Sequence, residues 1–168
     1  MKHLYFVRHG LSIMNEKGIF SGITETDLSD QGIIQATKVG QKLTSYQINY
    51  IISSPMRRTK QTAEIIAQQI NFPVSKIVYN KLLIERNYGP LEGKNYIPNL
   101  INHKGVETTE DILMRAEKAW ELLKSIPDDN ILVVGHGAIG RALRHIIDPK
   151  ISFDNSTKFN NAQIVQLV

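Results

Sequence analysis

The chain of 168 residues contains no cysteine. Disulfides, zinc–thiolate sites, iron–sulfur clusters and cysteine nucleophiles are therefore excluded. Long apolar runs are also missing. Nothing approaches the ~18 consecutive apolar residues of a membrane span, and the strand ahead of Arg8-His9 is too short for the core of a signal peptide. No run of five or six like charges occurs; the densest basic point is Arg57-Arg58-Thr59-Lys60. What is present is ordinary for a globular protein, with 42% hydrophobic and 21% charged residues, so disorder is not expected. A mass of 19.0 kDa predicts a single domain with a sizeable core. The net charge of +4 suits a small anionic substrate and makes no case for nucleic acid or a membrane surface. A cytoplasmic location is the expectation, and oligomeric state is left open.

Apolar patterning divides the chain into alternating strands and helices. Leu4 to Val7 reads as a strand buried on both faces, because such strands are continuously hydrophobic. A polar, glycine-punctuated loop follows to Thr26 and beyond, and Ser29 or Asp30 can cap a helix from Gln31 to Ser45. Ile48 to Ile52 is a second strand, and Ser53-Ser54-Pro55 opens a helix to about Ile70, with Pro55 near its first position. Val74 to Tyr79 reads as a strand, and Leu82 to Ile84 as a short apolar stretch. Residues 85 to 107 read as a long irregular loop, of the kind that is more often functional than idle. A clear amphipathic helix runs from Thr108 or Thr109 to about Ser125. Ile131 to Val134 is a strand, and about Ala138 to Ile147 a helix. Pro149 to Asn161 is loop, and Ala162 to Val168 alternates as a last strand. The alternation predicts an α/β fold with a sheet covered on both faces.

Two strands end alike. Leu4-Tyr5-Phe6-Val7-Arg8-His9-Gly10 and Ile131-Leu132-Val133-Val134-Gly135-His136-Gly137 each have four apolar residues, one linker residue, a histidine and a glycine. If the strands are parallel neighbours, both imidazoles reach one sheet edge, where open α/β sheets bind ligands. The glycines permit close backbone approach or positive φ beside each ring. Either histidine alone is more simply a polar turn residue; the pair beside Arg8 points to a site.

A metal reading needs three or four protein ligands, and no third ligand stands at a suggestive spacing. Imidazoles beside guanidinium groups suit an anion, phosphate above all. Neutral imidazole is a competent nucleophile at phosphorus, and arginine spreads the charge of the transferring group. Ser53-Ser54-Pro55-Met56-Arg57-Arg58 follows another apolar strand and lies at a helix start, which favours anions. One of its arginines is expected in the pocket and the other in solvent. A proton source is needed for the leaving group. Glu85, directly after Leu82-Leu83-Ile84, and Glu92, in Leu91-Glu92-Gly93, both qualify on spacing.

These residues resemble the histidine phosphatase superfamily, the phosphoglycerate mutase-like proteins. Arg8-His9-Gly10-Leu11-Ser12 with Asn15 is similar to the family signature RHG-x-[ST]-x-x-N. The likeness continues through Phe20-Ser21-Gly22, Asp27-Leu28-Ser29, Gly32, Gln35-Ala36, Ser53 to Ala63, Glu85 to Gly93, and Val134 to Gly137. The resemblance implies a three-layer α/β/α sandwich with a mostly parallel central sheet, phosphoglycerate mutase-like. It implies His9 as nucleophile, forming a phosphohistidine, with Arg8, Arg58 and His136 holding the phosphoryl group. The family pattern L-x-E-x-x-x-G-x-x-E-G makes its first glutamate, Glu85, the proton donor, and the family's SSP-x-x-R motif makes Arg58 the pocket arginine and leaves Arg57 on the solvent side. Asn15, Ser21, Gly22, Arg86, Tyr88 and Gly137 are the implied substrate contacts, with no metal and no cofactor.

Phosphatase and mutase share the first half-reaction and differ in what accepts the phosphoryl group. Phe20-Ser21-Gly22 and Glu85-Arg86-Asn87-Tyr88-Gly89 look like the mutase versions of these motifs. The mutases, however, carry a longer basic segment after the glutamate motif, where this chain offers Lys94, His103 and Lys104, and they have Asn where Ala138 stands. Water then reaches the phosphohistidine, and the expected activity is hydrolysis of a small phosphorylated metabolite. A cofactor-dependent mutase is one alternative. A phosphate-binding or regulatory module is another, disfavoured because His9, Arg58, Glu85 and His136 are all present.

Overall fold

A computed structural model describes residues 1, 3–95, 103–154 and 158–168. Five strands form one sheet: β1 (His3–Arg8), β2 (Tyr50–Ser53), β3 (Val78–Tyr79), β4 (Asn130–Gly135) and β5 (Ile164–Gln166). Their spatial order is β3-β2-β4-β1-β5. All pairings are parallel except β5, which runs antiparallel to β1.

Alternation along the central strands sorts side chains onto two cores. Leu4 and Phe6 of β1 join Ile131 and Val133 of β4 on one face, packed against α4 (Thr109–Ser125) and α5 (Gly137–Ile147). Tyr5 and Val7 join Leu132 and Val134 on the other, packed against α2 (Asp30–Leu43) and α3 (Arg57–Gln69). With helices on both faces, the molecule is a three-layer α/β/α sandwich, and the strands need apolar residues at every position.

Local chemistry sets the helix starts. Ser29 caps α2, accepting from Gly32 N, and Thr108 caps α4, accepting from Asp111 N. Helix α3 begins at Arg57 with Met56 at its cap, so Pro55 stands just outside it rather than in its first turn. Helix α1 (Ile13–Glu16) lies in the stretch read as loop. It is a single turn held by a reciprocal capping box between Ser12 and Asn15, too short to show a period.

The segment read as a strand from Val74 to Tyr79 divides into a 3-10 turn, Val74–Lys76, and the two-residue β3. Leu82 lies in another 3-10 turn, Lys81–Leu83, and a third, Gly89–Leu91, interrupts the long loop. The last strand is only Ile164–Gln166. The loop readings for 96–102 and 155–157 lie outside the described residues. Among the described residues no helix is long and apolar enough to cross a membrane.

Helix α2 is seated directly on the turn after β1. Ser29 N donates to Leu11 O at 2.9 Å, and Leu11 N donates to Gln35 Oε1 at 2.8 Å. A Cβ on Gly10 would stand 2.5 Å from Gly32 O, and one on Gly32 would collide with Leu11 O. Both glycines are there for close backbone contact. Gly32→Ala is therefore expected to lower the unfolding free energy by about 1–3 kcal/mol through overpacking, read as a fall in the urea midpoint.

Candidate active site

The parallel register of β1 and β4 pairs Arg8 with Gly135, so the next residues, His9 and His136, leave the sheet side by side. Their ring centroids are 5.2 Å apart at an interplanar angle of 64°. Both are buried.

His9 is held in a defined tautomer. Its Nδ1 lies 2.7 Å from Gly10 O, an acceptor, so Nδ1 carries the hydrogen. The lone pair is then on Nε2, which accepts from Arg58 Nε at 3.3 Å. His136 is held from its other nitrogen, with Nε2 2.9 Å from Ser54 Oγ. Ser54 Oγ already accepts from Met56 N at 3.4 Å. Its second lone pair could serve as well, but among the described residues the Ser54 hydroxyl hydrogen has no acceptor other than His136 Nε2; donated there, it leaves the imidazole hydrogen on Nδ1, which is buried without a hydrogen-bond partner among the described residues. One ring offers a lone pair and the other a donor.

Burial drives both imidazole pKa values well below the usual histidine range, and the positive charges of Arg58 and Arg8 push the same way. Both rings are neutral at pH 7. Burial also lowers the pKa of Arg8 and Arg58, opposed by the charge of Glu85; guanidinium remains charged throughout.

Arg58 is buried, whereas Arg57 is 63% exposed at its side chain and pairs with Asp27 at 3.3 Å. Arg8 NH1 donates to Phe159 O at 2.7 Å. Glu85 Oε1 accepts from Arg86 N at 2.9 Å and from Ala138 N, in the first turn of α5, at 3.0 Å. An acceptor oxygen suits that helix end, and the geometry leaves Oε2 outside both bonds.

Arg8, His9, Asn15, Ile19, Phe20, Ser21, Gly22, Arg58, Glu85 and Tyr88 line a cavity of about 120 Å³. This is well below the ~300 Å³ of ordinary ligand pockets, enough for the charged end of a ligand. Of the residues anticipated as substrate contacts, Asn15, Ser21, Gly22 and Tyr88 lie on its wall. Gly137 stands behind it: a Cβ there would meet Arg8 Nε and Glu85 Oε2 at 3.7 Å, ordinary contact, so neither crowding nor positive φ requires this glycine. Arg86 does not line the cavity. It is buried, and its Nε donates to Glu107 O at 2.7 Å. Its place in the sequence suggested substrate, but the adjacent Glu107, held by Arg115 at 2.9 Å, turns it inward.

Several supporting residues were not singled out in sequence. Thr62 Oγ1 accepts from Gly10 N at 3.1 Å and donates to Arg58 O at 2.7 Å, joining the turn after β1 to α3. Asn161 Nδ2 donates to His9 O at 3.1 Å and lies 3.3 Å from Asn15 Oδ1. Ala162 N reaches the carbonyls of Arg8 and His9 at 3.0 and 3.1 Å, from a left-handed φ of 54°. Thr62 stands in a motif that could have flagged it; Asn161 and Ala162 carry no local signal.

The profile of the histidine phosphatase superfamily (branch 1) matches residues 4–168. A protein of Hydrogenobacter thermophilus with the provisional name phosphoserine phosphatase 2 is 33% identical over 159 residues, covering 85% of this chain and 77% of that one. A phosphatase of Bacillus subtilis, described as uncharacterized, is 31% identical over 96% of this chain and 86% of its own length. A 2,3-bisphosphoglycerate-dependent phosphoglycerate mutase of Bradyrhizobium is 34% identical over 94 residues, which is 45% of the mutase. Among solved structures, a mycobacterial glucosyl-3-phosphoglycerate phosphatase complexed with VO3 superposes with a TM-score of 0.85 at 23% identity, covering 99% of this chain and 90% of that one. This chain belongs to the histidine phosphatase superfamily.

The depressed histidine pKa values set a pH dependence of stability. Below the unfolded value of about 6.5, the unfolded chain binds protons that the buried rings refuse, so stability present above that pH is lost as pH falls. The melting temperature is expected to drop between pH 7 and pH 5, and His136→Asn should flatten that drop. A melting temperature that rises on acidification would contradict the buried neutral pair.

Proposed function

We propose that the protein is a phosphomonoester hydrolase that works without metal, through a phosphohistidine at His9, on a small phosphorylated metabolite. The observation that carries this reading is the His9 tautomer: Nδ1–H on Gly10 O leaves the Nε2 lone pair beside Arg58.

In the first step Nε2 forms a bond to phosphorus as the ester P–O bond breaks. Arg8, Arg58 and the Nδ1–H of His136 take the charge on the phosphoryl oxygens, and Glu85 Oε2 gives its proton to the departing alkoxide. In the second, Glu85, now a carboxylate, accepts a proton from water as that water attacks phosphorus. The N–P bond breaks, releasing phosphate and neutral His9. No proton or electron is left over. Among the described residues no group of three or more His, Asp or Glu is gathered in a way that could hold a metal ion, and the charge is supplied by arginine.

Hydrolysis rather than mutase transfer is supported by the shape of the likeness. The phosphatase relatives match along most of their length, and the mutase along less than half. The side chains of Arg86 and Arg115 are engaged with Glu107 rather than turned to the cavity. The phosphoserine and glucosyl-3-phosphoglycerate named for relatives belong in the first substrate panel.

His9→Ala should abolish hydrolysis of p-nitrophenyl phosphate, and Glu85→Gln should slow it about 10²–10⁴-fold. Wild type quenched in alkaline detergent should carry an acid-labile, alkali-stable phosphoryl group that His9→Ala lacks. Retained turnover in His9→Ala would remove the nucleophile assignment. Activity should survive EDTA; loss restored by added metal would favour a metal site. Robust interconversion of 3- and 2-phosphoglycerate primed with bisphosphoglycerate would instead make the protein a mutase.

A further inference from the structure

Glu92 lies outside the cavity, and yet its carboxylate is fully engaged. Oε1 accepts from Ile23 N and Tyr88 N, each at 3.0 Å. Oε2 accepts from Thr24 N at 2.8 Å and Thr24 Oγ1 at 2.5 Å. These bonds fill the acceptor capacity of a carboxylate. Three of the four come from Ile23 and Thr24, so the loop carrying them is held to the segment that bears Glu92. Its backbone is drawn in closely: Gly22 has φ +47°, and a Cβ there would collide with the Glu92 carboxylate. Phe20 N to Lys94 O and Gly93 N to Phe20 O, both 2.9 Å, extend the same seam.

What this loop presents to the site is a pair of carbonyls. Arg58 NH2 donates to Gly22 O at 2.6 Å and NH1 to Thr24 O at 3.1 Å, while Nε faces His9. A guanidinium that is 1% exposed is more commonly neutralised by a carboxylate in direct contact. Among the described residues no carboxylate is hydrogen-bonded to Arg58. Its orientation comes from neutral oxygens, and the charges of Glu85, Glu25 and Glu92 act on it from beyond hydrogen-bond contact. The guanidinium is aimed without its charge being spent on a salt bridge.

We propose that Glu92 is a positioning residue of the phosphoryl site: it fixes the carbonyls of Gly22 and Thr24, and through them the direction of Arg58. The proposal rests on the reading of Arg58 as a phosphoryl-binding group. Glu92 acts through Arg58 and does not touch the substrate. Because Glu85 and Glu92 stand on one segment, the proton donor and the support of the anion binder are placed together.

The test is a double-mutant cycle read by calorimetric binding of inorganic phosphate, with kcat and KM on p-nitrophenyl phosphate alongside. Glu92→Ala is expected to weaken phosphate binding about tenfold or more, as the loss of an oriented charge-assisted contact would. Arg58→Met should do the same. The double variant should bind within about threefold of Arg58→Met alone, because the two act as one unit. Glu92→Gln, which keeps one acceptor oxygen, should fall between wild type and Glu92→Ala. A purely structural role predicts a lower melting temperature with losses that multiply in the double variant. That result overturns the proposal, as does a folded Glu92→Ala with phosphate affinity within twofold of wild type. If Glu92→Ala does not fold, Thr24→Val, lacking one bond to Glu92, carries the same cycle with an expected loss of about threefold that vanishes in the Arg58→Met background. Phosphate binding without ester turnover in wild type would remove the hydrolase reading and leave the cycle to decide on Glu92.

Discussion

The parallel pairing of β1 with β4 is the constraint on which the rest depends. Once Arg8 is opposite Gly135, His9 and His136 must leave the sheet together. A slip of one residue would exchange the two faces of β1, sending Phe6 into the core built around Val7 and separating the imidazoles. Two independent hydrophobic cores, one on each side, therefore fix a distance between two polar rings. Packing energy spread over many side chains is converted into the placement of a few atoms.

Around that pair the chain solves a problem of charge. Two guanidinium groups and two imidazoles lie close together and largely out of solvent, and burial disfavours every charged form among them. The rings respond by staying neutral, with opposite hydrogen-bonding duties assigned by Gly10 O and Ser54 Oγ. The arginines stay charged and are oriented by carbonyls, Phe159 O for Arg8, and Gly22 O and Thr24 O for Arg58, while Arg8 Nε is buried without a hydrogen-bond partner among the described residues. Glu85 is anchored by backbone amides on one oxygen only. The result is a positively charged cavity with its donors already directed, which is what an entering phosphoryl dianion requires.

Much of this was legible in the sequence, and unevenly. The buried strands were visible because two-sided burial demands continuous hydrophobicity, and the matching strand ends announced the histidine pair. Arg58 could be separated from Arg57, and Glu85 from Glu92, only by resemblance to a family; spacing alone left both choices open. The structure gives the physical difference, since Arg57 faces solvent opposite Asp27 and the oxygens of Glu92 are occupied by three backbone amides and the Thr24 hydroxyl. Helix α1, the 3-10 turn Val74–Lys76 and the inward turn of Arg86 were not legible. Each depends on a side chain meeting a partner distant in sequence or on a single turn of backbone. The antiparallel direction of β5 belongs with them, because alternation marks a strand and says nothing of its sense.

The grip of Asn161 and Ala162 on the carbonyls of Arg8 and His9 has a consequence in time. The donor and acceptor are separated by 152 positions. During synthesis the turn that carries His9 emerges well before Asn161, and its hydrogen bonds to that residue cannot close until the intervening chain has been made. Contacts of such separation form late and slowly. A nascent chain therefore holds His9, Arg8 and Arg58 without a locked geometry, and the site matures only once Asn161 and Ala162 are in place.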